Sequence, residues 1–225
     1  MKKAFTMIEL VFVIVVIGIL AAVIIPRSRT NPLYEAATQL VSHIRYTQHL
    51  AMVDDKFNVT NNKWHLERWM LRFQENLVYT TLAPNNTYNN EWAYTISSDL
   101  PNYAGHHPDL NGMAKNPLNS NQYLSGGYDN VLHVEDDKSM GKLRLGSSYG
   151  IDNVVFGGGC RSNTLFVHFD HLGRPMNSFN TNAAYEPDPG GYPRLITSTC
   201  TIILSHGDDN VTIGIEPETG YTHLM

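Results

Sequence analysis

The chain has 225 residues, of which 42 % are hydrophobic and 16 % charged, with a formal net charge of −5. This is enough apolar material for a packed core, and enough length for one globular domain beside a terminal segment. The mild acidic balance argues against a dedicated nucleic-acid binder, which carries a basic excess.

Residues 1–25 read MKKAFTMIELVFVIVVIGILAAVII. Lys2 and Lys3 come first, and an apolar run follows, uninterrupted between residues 10 and 25. Counted from Phe5, the run is about 21 residues, roughly 30 Å as a helix, which matches a bilayer core. The pattern predicts a transmembrane helix segment over 5–25. The lysines favour a cytoplasmic N-terminus and a periplasmic remainder, as in a single-pass inner-membrane protein. A signal peptide removed whole is the competing reading, but Glu9 interrupts its apolar stretch and no A-x-A site follows.

A plain membrane anchor does not account for Glu9 either. A carboxylate deep in lipid costs about 3 kcal/mol on insertion scales and normally has a partner. No basic residue lies near it within the segment. A cut before Phe5 would create an α-amino group one helical turn away. The same amine on a neighbouring chain would pair with Glu9 across a helix–helix contact.

The string Ala4-Phe5-Thr6-Met7-Ile8-Glu9-Leu10 resembles the prepilin (class III) signal of type IV pilins and type II secretion pseudopilins. The resemblance implies a leader over 1–4, cleavage between Ala4 and Phe5 by prepilin peptidase, N-methylation of Phe5, and Glu9 as the subunit-docking acid. The family usually has glycine before the cut, where this chain has Ala4. The implied fold is α+β: a long N-terminal membrane-spanning helix packed on an antiparallel β-sheet domain. The implied partners are prepilin peptidase, other pilin or pseudopilin subunits, the inner-membrane assembly platform and membrane lipid. No cofactor is implied, and nucleic acid is not an expected partner.

Pro26 follows the apolar run and is expected to kink or end the helix. Asn31 before Pro32 reads as a helix cap with proline in the first turn. A second, amphipathic helix is predicted over 32–53, with Leu33, Ala37, Leu40, Ile44 and Ala51 at helical spacing. It forms most of an amphipathic continuation over 26–54. Beyond it lies a β-rich globular domain, 55–225. Strand-like runs fall at 69–73, 77–79, 92–96, 151–156, 165–169, 201–204, 211–215 and 221–224. Gly207-Asp208-Asp209-Asn210 reads as a hairpin turn. The Asn-, Pro-, Tyr- and Gly-rich stretch 84–130 reads as a long loop or insertion.

Cys160 and Cys200 make an even count, read as a disulfide in an exported domain; two buried free thiols are the alternative. Within the pilin-like group, the distal strings Phe169-Asp170-His171-Leu172-Gly173-Arg174-Pro175 and Thr219-Gly220-Tyr221 resemble H-type pseudopilins and FimT-like minor pilins. The function this implies is structural: a minor subunit assembled into a type II secretion pseudopilus or a type IV pilus. Two other readings stay open, a competence (DNA-uptake) minor pilin and a membrane-tethered periplasmic binding domain that never polymerises.

Candidate chemistry is sparse. His168, Asp170 and His171 cluster, as do His106 and His107, but neither set is a ligand signature, and no metal is expected. Glu135, Asp136 and Asp137, and Asp208 with Asp209, read as solvated turn acids. Gly157-Gly158-Gly159 lacks the Lys-Ser/Thr of a phosphate loop. A DNA-uptake role would draw on Lys142, Arg144, Arg161 and Arg174. Asp208-x-Asn210-x-Thr212 matches an extended N-glycosylation acceptor string. No enzyme is read from these motifs.

Overall fold

Each of the first two helices begins at a residue suited to cap it. Helix α1, Met7–Ile24, follows Thr6, whose carbonyl accepts the first intrahelical bond from Leu10 N at 3.2 Å. Helix α2, Pro32–Val53, opens on a proline, whose fixed φ suits the first helical position and whose missing N–H would have no partner there. The computed structural model describes residues 6–24, 31–54, 56–61, 64–75, 78–79, 88–89, 91–98, 108–128, 131–162, 164–177 and 194–225. The chain divides into two compact units, Met1–Asn31 and Pro32–Met225.

The first unit overturns two expectations. Among the described residues no helix is long and apolar enough to cross a membrane. This corrects both the long N-terminal membrane-spanning helix and the single-pass inner-membrane placement, with its cytoplasmic N-terminus and periplasmic domain. The physical reason is length. Helix α1 has 18 residues, which at 1.5 Å each is about 27 Å, short of the ~20 apolar residues a hydrocarbon core takes. Glu9 sits in its first turn, so only residues 10–24 run without a charge.

In the second unit, α2 is followed by β1 (Trp69–Gln74), β2 (Val78–Tyr79), β3 (Tyr88–Asn89), β4 (Ala93–Ser98), β5 (Lys115–Asn116) and β6 (Asn119–Tyr123). Then come the short helix α3 (Leu145–Tyr149), β7 (Asn153–Gly158), β8 (Phe166–Phe169), β9 (Pro175–Met176), β10 (Cys200–His206), β11 (Asp209–Ile215) and β12 (Thr222–Leu224). They build two four-stranded antiparallel sheets, β4-β1-β8-β9 and β12-β11-β10-β7, with β2-β3 and β5-β6 as two-stranded ribbons. The α+β class with antiparallel sheets is therefore as expected.

Strand alternation explains how the sheets face the core. Cys200, Ile202 and Leu204 of β10, Ile213 and Ile215 of β11, and Val154 and Phe156 of β7 are buried, each separated from the next by one less buried residue or, in β11, by Gly214. Phe73 of β1 meets Phe156 of β7 edge-to-face at 5.6 Å, which brings the two sheets together. Helix α2 packs against β1 and β8 of one sheet and β10, β11 and β12 of the other. Its buried stripe is Leu33, Ala36, Ala37, Leu40, Val41, Ile44, Thr47 and Ala51. The stretch expected to be a long loop over 84–130 enters this core where it is described: Ala114 and Leu124 are buried. Backbone bonds from Ile96 N to Leu124 O and from Ala114 N to Ile96 O, both 2.9 Å, lay this stretch along β4.

Cys160 and Cys200 form a disulfide across a sequence separation of 40. It ties the turn after β7 to the first residue of β10, its ladder neighbour. On the chain-entropy account, closing a loop of that length stabilises the fold by about 4 kcal/mol. We expect the double variant Cys160→Ala/Cys200→Ala to lose about that much in urea unfolding, with a steeper transition, because the unfolded chain without the cross-link exposes more surface. A loss under about 0.5 kcal/mol would show that the bridge does not constrain the unfolded chain.

Candidate functional site

The residues singled out in the N-terminal string divide into those the structure describes and those it does not. Ala4, Phe5 and Pro26 lie outside the described residues. Glu9 is described, and it has a local partner that the sequence reading overlooked. Its Oε2 accepts from Thr6 N at 3.1 Å and from Thr6 Oγ1 at 2.9 Å, and Thr6 Oγ1 in turn accepts from Glu9 N at 3.4 Å. Thr6-Met7-Ile8-Glu9 is thus a capping box, the reciprocal exchange that satisfies two orphan N–H groups at a helix start. Its Thr-x-x-Glu signature was legible, since it stands directly before an apolar run. Around this box the helix offers only apolar surface: every described side chain of Met7–Ile24 other than Glu9 is apolar, and all are exposed.

In the second unit the distal strings converge on one residue of α2. The turn between β8 and β9 is organised by Asp170, which is fully buried. Its Oδ1 accepts from Leu172 N (3.0 Å) and Arg174 N (2.9 Å); its Oδ2 accepts from Arg174 Nε and from the Arg174 guanidinium terminus, both 2.8 Å. A charge-assisted pair with two donors on one buried oxygen, backed by two backbone N–H groups on the other, fixes the path of the loop. Gly173 in this turn and Gly220 before β12 both have positive φ, +79° and +62°. Gln48 Nε2 reaches both turns, donating to Gly173 O at 2.8 Å and to Thr219 O at 2.7 Å. A Cβ on Gly220 would stand 2.5 Å from Gln48 Nε2 and 2.6 Å from Gly173 O. The glycines of Gly-Arg-Pro and Thr-Gly-Tyr are therefore required by close approach as well as by backbone conformation. One helical turn earlier, Arg45 donates to Thr222 O through Nε (3.1 Å) and Nη2 (2.6 Å).

The opposite flank of α2 carries a partly buried polar chain. Gln39 Nε2 donates to Tyr94 Oη and to Lys142 O, both 2.9 Å, and Tyr149 Oη donates to Gln39 Oε1 at 2.9 Å. Tyr94 Oη lies 2.7 Å from His43 Nδ1. Burial pushes the His43 imidazole down from 6.5 to about 4, so it is neutral near pH 7 and its Nδ1 accepts the Tyr94 hydroxyl proton. Burial also raises Tyr94, which stays a neutral phenol. These partners are 51 to 110 residues apart in the chain, and no local pattern announces them.

The remaining candidates do not assemble into a reaction centre. His168 is buried in β8, Asp170 is committed to its turn, and His171 meets the edge of Trp64 at 6.4 Å. His106 and His107 lie outside the described residues. Among the described residues, no group of three or more His, Cys, Asp or Glu side chains is arranged to hold a metal ion. Of the basic residues considered for DNA, Arg174 is paired with Asp170 and Lys142 lies 3.7 Å from Glu35, which neutralises both locally. No family model matches the chain, nor does any curated protein or solved structure.

Two predictions follow from the flanks of α2. Gln48→Ala strands two carbonyls and is expected to cost about 1–2 kcal/mol. Gly220→Ala, strained at positive φ and crowded by Gln48, is expected to cost more; urea unfolding of both variants in which Gly220→Ala is the milder would refute the crowding argument. For His43, the folded-state pKa lies below the ordinary one, so between about 4 and 6.5 the unfolded chain holds the extra proton. Stability contributed by this group is therefore complete above pH 6.5 and falls as the pH drops toward 4. Glu216 is held low and His223 high, chiefly by the hydrogen bond between them. The Glu216 share is lost only as pH falls below its ordinary 4.5 and the His223 share only as pH rises above its ordinary 6.5, so neither supplies slope in between. His43→Gln should flatten urea midpoints measured from pH 4.5 to 6.5; an unchanged slope would assign it to another group.

Proposed function

We propose that this protein is a structural subunit of a type II secretion pseudopilus or a type IV pilus. In this reading it is cut between Ala4 and Phe5 by prepilin peptidase, is methylated at the new terminus, and is incorporated through its N-terminal helix. The observation that supports it most is α1 itself. It is an apolar helix exposed on all sides, forming a compact unit distinct from the disulfide-linked α+β unit. A helix apolar around its whole circumference needs apolar neighbours in every direction, and like helices from adjacent subunits supply them.

Glu9 then has two successive duties. In the single chain it closes the capping box with Thr6. In the assembly its second carboxylate oxygen takes the freed ammonium of a neighbouring Phe5. The two duties separate by substitution. Glu9→Gln keeps the capping box, since glutamine serves at that position, but removes the charge. Thr6→Val removes the cap, at about 1 kcal/mol of helix stability, and leaves the charge.

The expected result is that Glu9→Gln is processed to a methylated Phe5 terminus but crosslinks to other pilin-like subunits about tenfold less, the loss expected of a charge-assisted bond. Thr6→Val retains most of the crosslinking. Wild-type crosslinking by Glu9→Gln would remove the docking role. An intact leader in the mass spectrum of the native chain would remove the pilin-like reading altogether.

A further inference from the structure

The hairpin between β10 and β11 turns at Gly207 and Asp208. Gly207 has a φ of +59°, and nothing lies within 4 Å of the position its side chain would take. The tip is anchored from one side, where Gly207 N donates to Asp152 Oδ2 at 2.5 Å, and its side-chain face is open to solvent, with Asp208, Asp209 and Asn210 all exposed. The string Asp208-Asp209-Asn210-Val211-Thr212 begins there. It contains an Asn-x-Thr triplet with a carboxylate two residues before the asparagine. Alternation along the strand sorts its side chains. Val211, Ile213 and Ile215 pack on the core, so Asn210 and Thr212 project from the opposite face. Asp208 and Asn210 are exposed and Thr212 is half-buried.

From this placement we infer that Asn210 is an acceptor for an N-linked oligosaccharide. The amide Nδ2 of Asn210 attacks the anomeric carbon of a sugar carried on a lipid diphosphate. The new C–N bond forms as the anomeric C–O bond breaks; the lipid diphosphate leaves with the electron pair, and the amide proton passes to a base. The donor is a lipid-linked oligosaccharide and the catalyst an oligosaccharyltransferase. An amide nitrogen is a weak nucleophile because its lone pair is delocalised into the carbonyl, so the reaction is confined to strings such an enzyme can grip. Here Thr212 offers a hydroxyl on the same strand face as Asn210, and Asp208 offers an anionic handle on the tip. The bridge between Cys160 and Cys200, the first residue of β10, belongs to an oxidising environment outside the cytosol, the side on which such transfers occur.

The chain carries its own comparison. Asn58-Val59-Thr60 and Asn85-Asn86-Thr87 are also Asn-x-Thr triplets, but the residues two before them are Lys56 and Ala83. Asn58 is also engaged: its Oδ1 accepts from Thr60 N at 3.0 Å and from Thr60 Oγ1 at 2.7 Å. Of the three, Asn210 alone has the acid two residues before it, and it stands exposed beside a hairpin turn.

The test is expression of the full chain in a bacterial host supplied with an acid-requiring oligosaccharyltransferase and its lipid-linked oligosaccharide, beside an acceptor protein known to be modified in the same cells. Tryptic cleavage after Arg194 releases residues 195–225 as one peptide for mass spectrometry. The expected result is sugar on Asn210, lost in Asn210→Gln and Thr212→Val, retained in Thr212→Ser, and reduced at least about tenfold in Asp208→Ala, with Asn58 bare. An oxidised Cys160–Cys200 pair in the same sample reports export and folding of each variant. A bare Asn210 beside an oxidised bridge overturns the inference, as does sugar on Asn58 in its place or sugar on Asn210 undiminished by Asp208→Ala.

Discussion

A helix that packs on two sheets at once has little freedom to rotate about its axis, and α2 is in that position. Its apolar stripe fills the space between β1 and β8 on one side and β10, β11 and β12 on the other. Rotation by even one residue would bury polar side chains at a cost of a few kcal/mol each. Hydrogen bonds on both flanks hold the same angle. Gln39 and His43 tie it to Tyr94 and Tyr149, and Arg45 and Gln48 tie it to the turns around β8, β9 and β12. The two sheets also meet directly, through Phe73 on Phe156 and through Asn177 after β9, which accepts from Arg161 N and donates to Gly159 O beyond β7, so the helix and these contacts together set the geometry of the second unit.

That dependence explains which parts of the fold could be read in advance. The bounds of α2 are marked by local chemistry: a proline at its first position, helical spacing of apolar residues, and a change of composition after Asp54. Strands β1, β4, β8, β10 and β11 show up as short β-branched and aromatic runs, because their propensity and their burial agree. The hairpin at Gly207 is visible for the same reason. What stayed hidden were contacts between distant segments. Nothing near Gln48 in sequence points to Gly173 or Gly220, although those two glycines sit in strings that looked distinctive. The resemblance to a subgroup was carried by Gly-Arg-Pro and Thr-Gly-Tyr, and their shared physical cause is one glutamine amide more than 120 residues upstream.

Two misreadings have a common origin. Counted from Phe5, the apolar run suggests a stretch long enough for a bilayer, with Glu9 as an anomaly inside it. In the structure the acid marks the beginning of the helix, not a fault within it. Once Thr6 is the cap, the helix is too short to span, and the carboxylate is already hydrogen-bonded within its own chain. A motif of four residues, Thr-x-x-Glu, would have given both facts.

The capping box also changes how docking should be understood. An unpaired carboxylate would drive assembly by relief of an electrostatic penalty. A carboxylate that already accepts two hydrogen bonds gives up much less when it stays in the single chain, so its contribution lies mainly in where the neighbouring subunit settles. In the proposed assembly the larger driving force would then be the apolar surface of α1. That surface has no polar face to leave in water, so a single groove on a partner would cover only part of it. Several like helices around each copy would cover the whole. Apolar contact alone is tolerant of sliding along the helix axis, whereas an ion pair at Glu9 is satisfied at one register only. In the proposed assembly the helix would provide the affinity and its first turn the register.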